Sequence, residues 1–117
     1  MKILSSKMHG IIDYLLVIFL GASPAIFKME TPLCYIVYAL GAVHLLLTIL
    51  TNFELGIIKV IPFRIHGLIE LVVAIGLGSL ATWYRSAGND FGFYYFIGLA
   101  VAILLVFNLT DFRGSKQ

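Results

Sequence analysis

"MHGIIDYLLVIFLG", residues 8–21, is apolar enough for a membrane helix, yet it carries His9 and Asp13 four residues apart. "IHGLIELVVAIGLG", residues 65–78, repeats the arrangement with His66 and Glu70. Six of the fourteen paired positions are identical, and Asp13 against Glu70 keeps a carboxylate. The offset of 57 residues also aligns Gly10 with Gly67, Gly21 with Gly78 and Lys28 with Arg85. Further on, "LLLTILTNF" (45–53) matches "LLVFNLTDF" (104–112) at an offset of 59. The pattern predicts a duplicated helical hairpin.

The chain has 117 residues, 61% of them hydrophobic and 12% charged. A water-soluble domain carries about 25% charged residues, and a chain this small lacks an interior large enough to hide so much apolar surface. Lipid is the solvent that this composition suits. Four apolar runs cover residues 8–27, 33–50, 65–84 and 93–109. Each has the roughly 17–20 residues that a helix needs to cross about 30 Å of hydrocarbon. The expectation is therefore an all-α, polytopic membrane protein. Its single domain, residues 1–117, holds four transmembrane helices as two tandem hairpin repeats, 1–58 and 59–117. A cleaved leader is argued against by Asp13 within the first run and by the recurrence of that run in mid-chain.

"KMETP" (28–32) and "RSAGND" (85–90) read as turns, and "TNFELGIIKVIPFR" (51–64) as a longer amphipathic segment lying partly along the membrane surface. With four spans, Lys2, Lys7, Lys59, Arg64, Arg113 and Lys116 share one side, and Lys28 and Arg85 the other. This bias places both termini in the cytoplasm. Phe27, Tyr35, Trp83, Tyr84, Tyr94 and Tyr95 fit an interfacial aromatic belt at the outer ends. Gly21, Gly41, Ala42, Gly76, Gly78, Gly98 and Ala102 read as small residues that permit close helix contact.

Residues i and i+4 share a helix face, so His9 can pair with Asp13 and His66 with Glu70. An unpaired carboxylate at mid-membrane costs roughly 2.5–3.5 kcal/mol on insertion scales. Both acids lie roughly 8 Å in from the cytoplasmic ends at about 1.5 Å per residue, and His44 on the second helix reaches a similar depth. Asp13, Glu70 and His44 thus converge in one layer, with His9 and His66 above it. Three uses suit that layer: structural pairs that fix the two halves, a polar site for a headgroup, small solute or quinone, or a metal site from three histidines and two carboxylates. No cofactor is firmly implied, though quinone and metal both fit the residue types.

The scattered basic residues and net charge of +2 give no nucleic-acid footprint. The single cysteine, Cys34, excludes an internal disulfide and reads as a small apolar residue. No Ser-His-Asp set or phosphate loop is present, and "GLGS" (76–79) is packing within a span. Asp111 and Arg113 read as solvated charges closing the last helix. The reading is a non-enzymatic homo-oligomer or accessory subunit of a membrane complex. Its rivals are a quinone- or metal-linked redox component and a proton-coupled transporter or channel.

The duplicated hairpin, the "HG" that opens helices one and three, and the "SP" of "GASPAIF" (21–27) together carry a family likeness. The chain resembles the small bacterial membrane proteins with SPW repeats, grouped loosely with DoxX-like four-helix proteins. Ala25 stands where the pattern has tryptophan, and Leu80-Ala81 where the second serine-proline would fall. The resemblance implies a four-helix bundle in a bacterial inner membrane. Some DoxX-like proteins are associated with quinone-linked oxidation, but no catalytic motif carries onto residues here.

Overall fold

A computed structural model describes residues 2–112. Helices α1 (Ser6–Ile26), α2 (Leu33–Leu50), α3 (Phe63–Ser86) and α4 (Asp90–Leu109) follow the four apolar runs, and two short strands, β1 (Thr51–Asn52) and β2 (Ile61–Pro62), join α2 to α3. All four helices are long and apolar enough to cross a membrane by length and composition. Helices α1 and α4 start earlier than their apolar runs because capping, not hydrophobicity, sets their first turns; α3 starts at Phe63, directly after Pro62, without a side-chain cap. Ser5 accepts from the backbone N–H of Met8, and the Asn89 side chain accepts from that of Gly92. Helices α1 and α3 each close on a left-handed residue two positions past the last helical one, Lys28 (φ 52°) and Gly88 (φ 82°). The following N–H groups reach back to Pro24 O and Tyr84 O at 2.9 Å, which satisfies helix-end carbonyls.

Close backbone packing is concentrated within each hairpin, α1 against α2 and α3 against α4. An apolar core that includes Leu20, Val37, Leu77, Phe96 and Leu99 fills the half of the bundle nearer the hairpin turns. At the other end the segments between helices lock together. β1 pairs with β2 in parallel, Thr51 opposite Ile61. A matching parallel bridge joins Leu4 to Thr110, with Leu4 N–H donating to Leu109 O at 2.8 Å and Asp111 N–H donating to Leu4 O at 2.9 Å. The exit of each hairpin is thus tied to the lead-in of the other.

The burial pattern is inverted relative to a water-soluble domain. Ile18 and Ile75 are 66% and 63% exposed, as are many other large apolar residues on the four helices, whereas His9, Asp13, His66 and Glu70 are buried. Exposed apolar surface on that scale marks a face that meets lipid or another protein.

Three local expectations are corrected, for Tyr84 with Tyr95, for the small residues and for Asp111. The 51–64 segment folds back through the β1–β2 pair, buries Phe53 and presents Ile57, Ile58 and Val60 outward. Its docking onto α1 is polar: Ser6 Oγ donates to Glu54 at 2.6 Å, and Tyr14 OH donates to Leu55 O at 2.8 Å. The Ser6 hydroxyl, aided by Lys7 and Lys59, holds the Glu54 carboxyl below its ordinary pKa. Tyr84 belongs to the core, packed on Phe96, because Gly92 leaves room for its ring, and Tyr95 is half-buried. Of the small residues, Gly41 faces the neighbouring helix, against Leu20 and the Gly21 backbone. Gly21, Gly76, Gly78 and Gly98 face open space, and Ala42 and Ala102 are exposed. Asp111 is half-buried beside the Leu4 bridge rather than a free surface charge. Arg113 and Lys116 lie outside the described residues.

The glycines that packing does demand are Gly10 and Gly67. A Cβ on Gly10 would run into the Phe53 ring, and one on Gly67 would lie 2.5 Å from the Phe112 ring. Gly10→Ala and Gly67→Ala should each lower stability in detergent by about 1–3 kcal/mol through overpacking. Gly76→Ala and Gly98→Ala should raise it by about 0.5–1 kcal/mol, since nothing opposes the better helix former. Thermal unfolding of the four variants checks the contrast.

Candidate functional site

His9 and His66 each sit in the first turn of their helix, and Asp13 and Glu70 follow one turn later on the same face. The structure brings all five expected residues, His9, Asp13, His44, His66 and Glu70, to one point between the hairpins. Their pairing differs from the expected one. The shortest contacts cross between the hairpins: His9 Nε2 lies 2.9 Å from Glu70 Oε1, and His66 Nε2 lies 2.9 Å from Asp13 Oδ2. The contacts within each helix are longer, 3.3 Å for His9–Asp13 and 3.2 Å for His66–Glu70. Spacing of i and i+4 puts both groups on a common face; the approach of the opposite helix then decides which partner each imidazole meets. His9 and His66 therefore do not form a separate layer above the acids but belong to the same compact centre.

Two residues that the sequence reading did not single out complete the arrangement. Thr51 Oγ1 lies 2.6 Å from His66 Nδ1, and Thr110 Oγ1 lies 2.8 Å from His9 Nδ1. Each hydroxyl spends its proton on its own helix, Thr51 on Leu47 O and Thr110 on Val106 O. Toward the imidazoles the hydroxyls accept, so Nδ1 of each ring donates and carries a proton. Nε2 of both rings is thereby directed at the carboxylates. The signal was present in the sequence as the shared Thr-x-Phe of "TNF" (51–53) and "TDF" (110–112). The phenylalanines of the same motifs, with Phe63, form an aromatic cap. Phe63 packs edge-on against His9 at 5.3 Å between centroids and lies 4.8 Å from Phe112, and Phe53 stacks on Phe63 at 5.6 Å.

His44 enters from α2. Its Nε2 is 3.4 Å from Asp13 Oδ1 and 3.6 Å from Glu70 Oε2, is buried, and has no hydrogen-bond partner among the described residues. Beside it a cavity of about 280 Å³ opens between α2 and α3, lined by aliphatic residues such as Val43, Leu47, Ile69 and Val73 and ended by His44 and Glu70.

Comparison with protein-family models, with curated proteins and with solved structures finds no match. The chemistry of the site therefore rests on its own geometry. Two buried carboxyl groups are accommodated by protonated imidazoles, by a bound cation, or by holding a proton themselves. Thr51→Val and Thr110→Val each strand a buried imidazole N–H. Each should cost about 1–3 kcal/mol in thermal unfolding, whereas Thr82→Val, on an exposed face, should cost little.

Proposed function

We propose that this chain is a four-span integral membrane protein built as two tandem hairpins, residues 1–58 and 59–117. It acts without chemistry of its own, as a homo-oligomer or an accessory subunit, and its His/Asp/Glu centre both fastens the hairpins and offers a polar binding site. The observation that carries this reading is the crossed pairing, His9 with Glu70 and His66 with Asp13, between hairpins whose close backbone packing is internal. The exposed aliphatic faces support insertion in lipid, and helices of 18–24 residues match the roughly 30 Å of a hydrocarbon core. Basic residues concentrated at the end that carries the centre support cytoplasmic termini in a bacterial inner membrane. The SPW-repeat and DoxX-like resemblance agrees with that placement.

In mild detergent, Asp13→Asn and Glu70→Gln should each destabilise the protein by about 3–5 kcal/mol, because each leaves a buried imidazole without its counter-charge. Because Asp13 and Glu70 share their imidazole partners, the double variant should cost less than the sum of the singles. Unchanged melting temperatures and unchanged oligomer size in both single variants would remove the reading.

The cavity between α2 and α3 favours a second reading, a site for a lipid-soluble quinone. Its aliphatic walls suit an isoprenoid or acyl body, and His44 with Glu70 at its end suits one polar head. Val43 and Leu46 at its rim are exposed, so the slot opens sideways from the bundle. Organic extraction of the purified protein should release quinone, and Val43→Trp, which narrows the slot, should abolish that co-purification while leaving the fold intact. Extracts equally poor in quinone from wild type and variant reject this occupant.

A further inference from the structure

The two ways of supplying positive charge to the centre differ in what they do for His44. If His9 and His66 each hold a second proton, both carboxylates gain short partners, but His44 Nε2 remains buried with none. Its distances of 3.4 and 3.6 Å to the carboxylates are long for hydrogen bonds. They match the separation of two ligands on one ion. Five ligands at about 2.1 Å lie roughly 3.0 Å apart across a right angle and roughly 3.6 Å apart across 120°.

Three further features point the same way. The ligating atoms of His9, Asp13, His66 and Glu70 all lie within 4.8 Å of one another. The threonine-held Nδ1–H of His9 and of His66 leaves each neutral ring with its Nε2 lone pair facing the centre, the tautomer and support that metal-binding histidines use. One divalent ion also neutralises two carboxylates without any protonated imidazole, which suits a site closed off by Phe53, Phe63 and Phe112.

We propose that this centre binds one divalent transition-metal ion of the zinc or ferrous class through Nε2 of His9 and His66 and the carboxylates of Asp13 and Glu70, with Nε2 of His44, which lies outside that tight group but 3.4 and 3.6 Å from its two carboxylates, as the fifth donor. Three imidazoles among five donors favour such an ion over magnesium or calcium, which prefer all-oxygen shells. The inference rests on the reading of this cluster as a buried binding centre and names its ligand.

The test uses the full chain in mild detergent, stripped with chelator and titrated with Zn²⁺ alone, followed by Co²⁺ as a spectroscopic probe. The expected result is one zinc per chain, a rise in melting temperature on adding zinc, and visible Co²⁺ bands of a low-coordinate nitrogen–oxygen site. His44→Ala and His44→Leu both remove the ligand, and stripped His44→Leu, which keeps the buried volume and loses the unpartnered nitrogen, should melt no lower than the stripped wild type. Their zinc affinity should nevertheless fall about tenfold or more, and Thr51→Val should weaken it about 10–100-fold through the ring it holds. Absence of saturable zinc uptake by the wild type, or equal affinity in both His44 variants, overturns the proposal. Those results leave untouched the metal-free melting of Asp13→Asn and Glu70→Gln, on which the fastening role stands or falls separately.

Discussion

Two carboxylates buried between two hairpins set the terms for this fold. Removing one counter-charge from such a pair costs about 3–5 kcal/mol, a large share of the stability of any small domain. The surrounding structure can be understood as meeting that demand. Imidazoles reach Asp13 and Glu70 from the opposite hairpin, so charge balance and hairpin association are the same contact. Thr51 and Thr110 hold the imidazoles from behind, and the Leu4–Thr110 and Thr51–Ile61 pairings hold the threonines. Gly10 and Gly67 then let Phe53 and Phe112 sit close over the helix starts and keep water away. Each device is minor alone; together they make a polar joint affordable in an apolar bundle.

Much of this was legible because the signals are local. Apolar runs of helical length give helix number and type, and an offset of 57 residues gives the alignment of His9 with His66. The convergence of His44 with the acids followed from depth along each helix. The choice of partner was not legible. Spacing fixes which groups share a face of α1 or α3, but the 2.9 Å contacts are made by the other hairpin, whose approach no local pattern encodes. The glycines were misjudged for a similar reason. Small residues permit close contact without requiring it, and in this chain Gly76 and Gly98 face open space while Gly10 and Gly67, which the repeat aligns but which were not read as packing residues, bear the rings. Tyr84 was misplaced because an aromatic near a helix end suits an interface and a core equally well until the space left by Gly92 is known.

The threonines show a different limit. Thr51 and Thr110 stand at matching places in the two halves, yet a hydroxyl next to a helix end has an ordinary local use, donating to the carbonyl four residues back. Both do this. Their second use, accepting from an imidazole, exists only because that first bond consumes the proton. A sequence reading sees one function per residue where the geometry stacks two in order.

The halves are alike in nearly every part of the centre, and the exception is informative. Leu4 answers to Ile61, His9 to His66, Asp13 to Glu70, Thr51 to Thr110 and Phe53 to Phe112, but the offset that links Thr51 to Thr110 sets His44 against Ile103. A joint between hairpins needs no third imidazole: the crossed pairs are complete without it, and Ile103 shows that an aliphatic residue fits the equivalent place. A buried nitrogen without a hydrogen bond carries a penalty of about 1–3 kcal/mol, which its long contacts to Asp13 and Glu70, 3.4 and 3.6 Å, offset only when the ring is charged. His44 also stands where the cavity between α2 and α3 meets the acids. The residue that breaks the likeness of the halves is therefore the one on which the proposed binding role turns, since the fastening of the hairpins needs only the four residues that the repeat supplies.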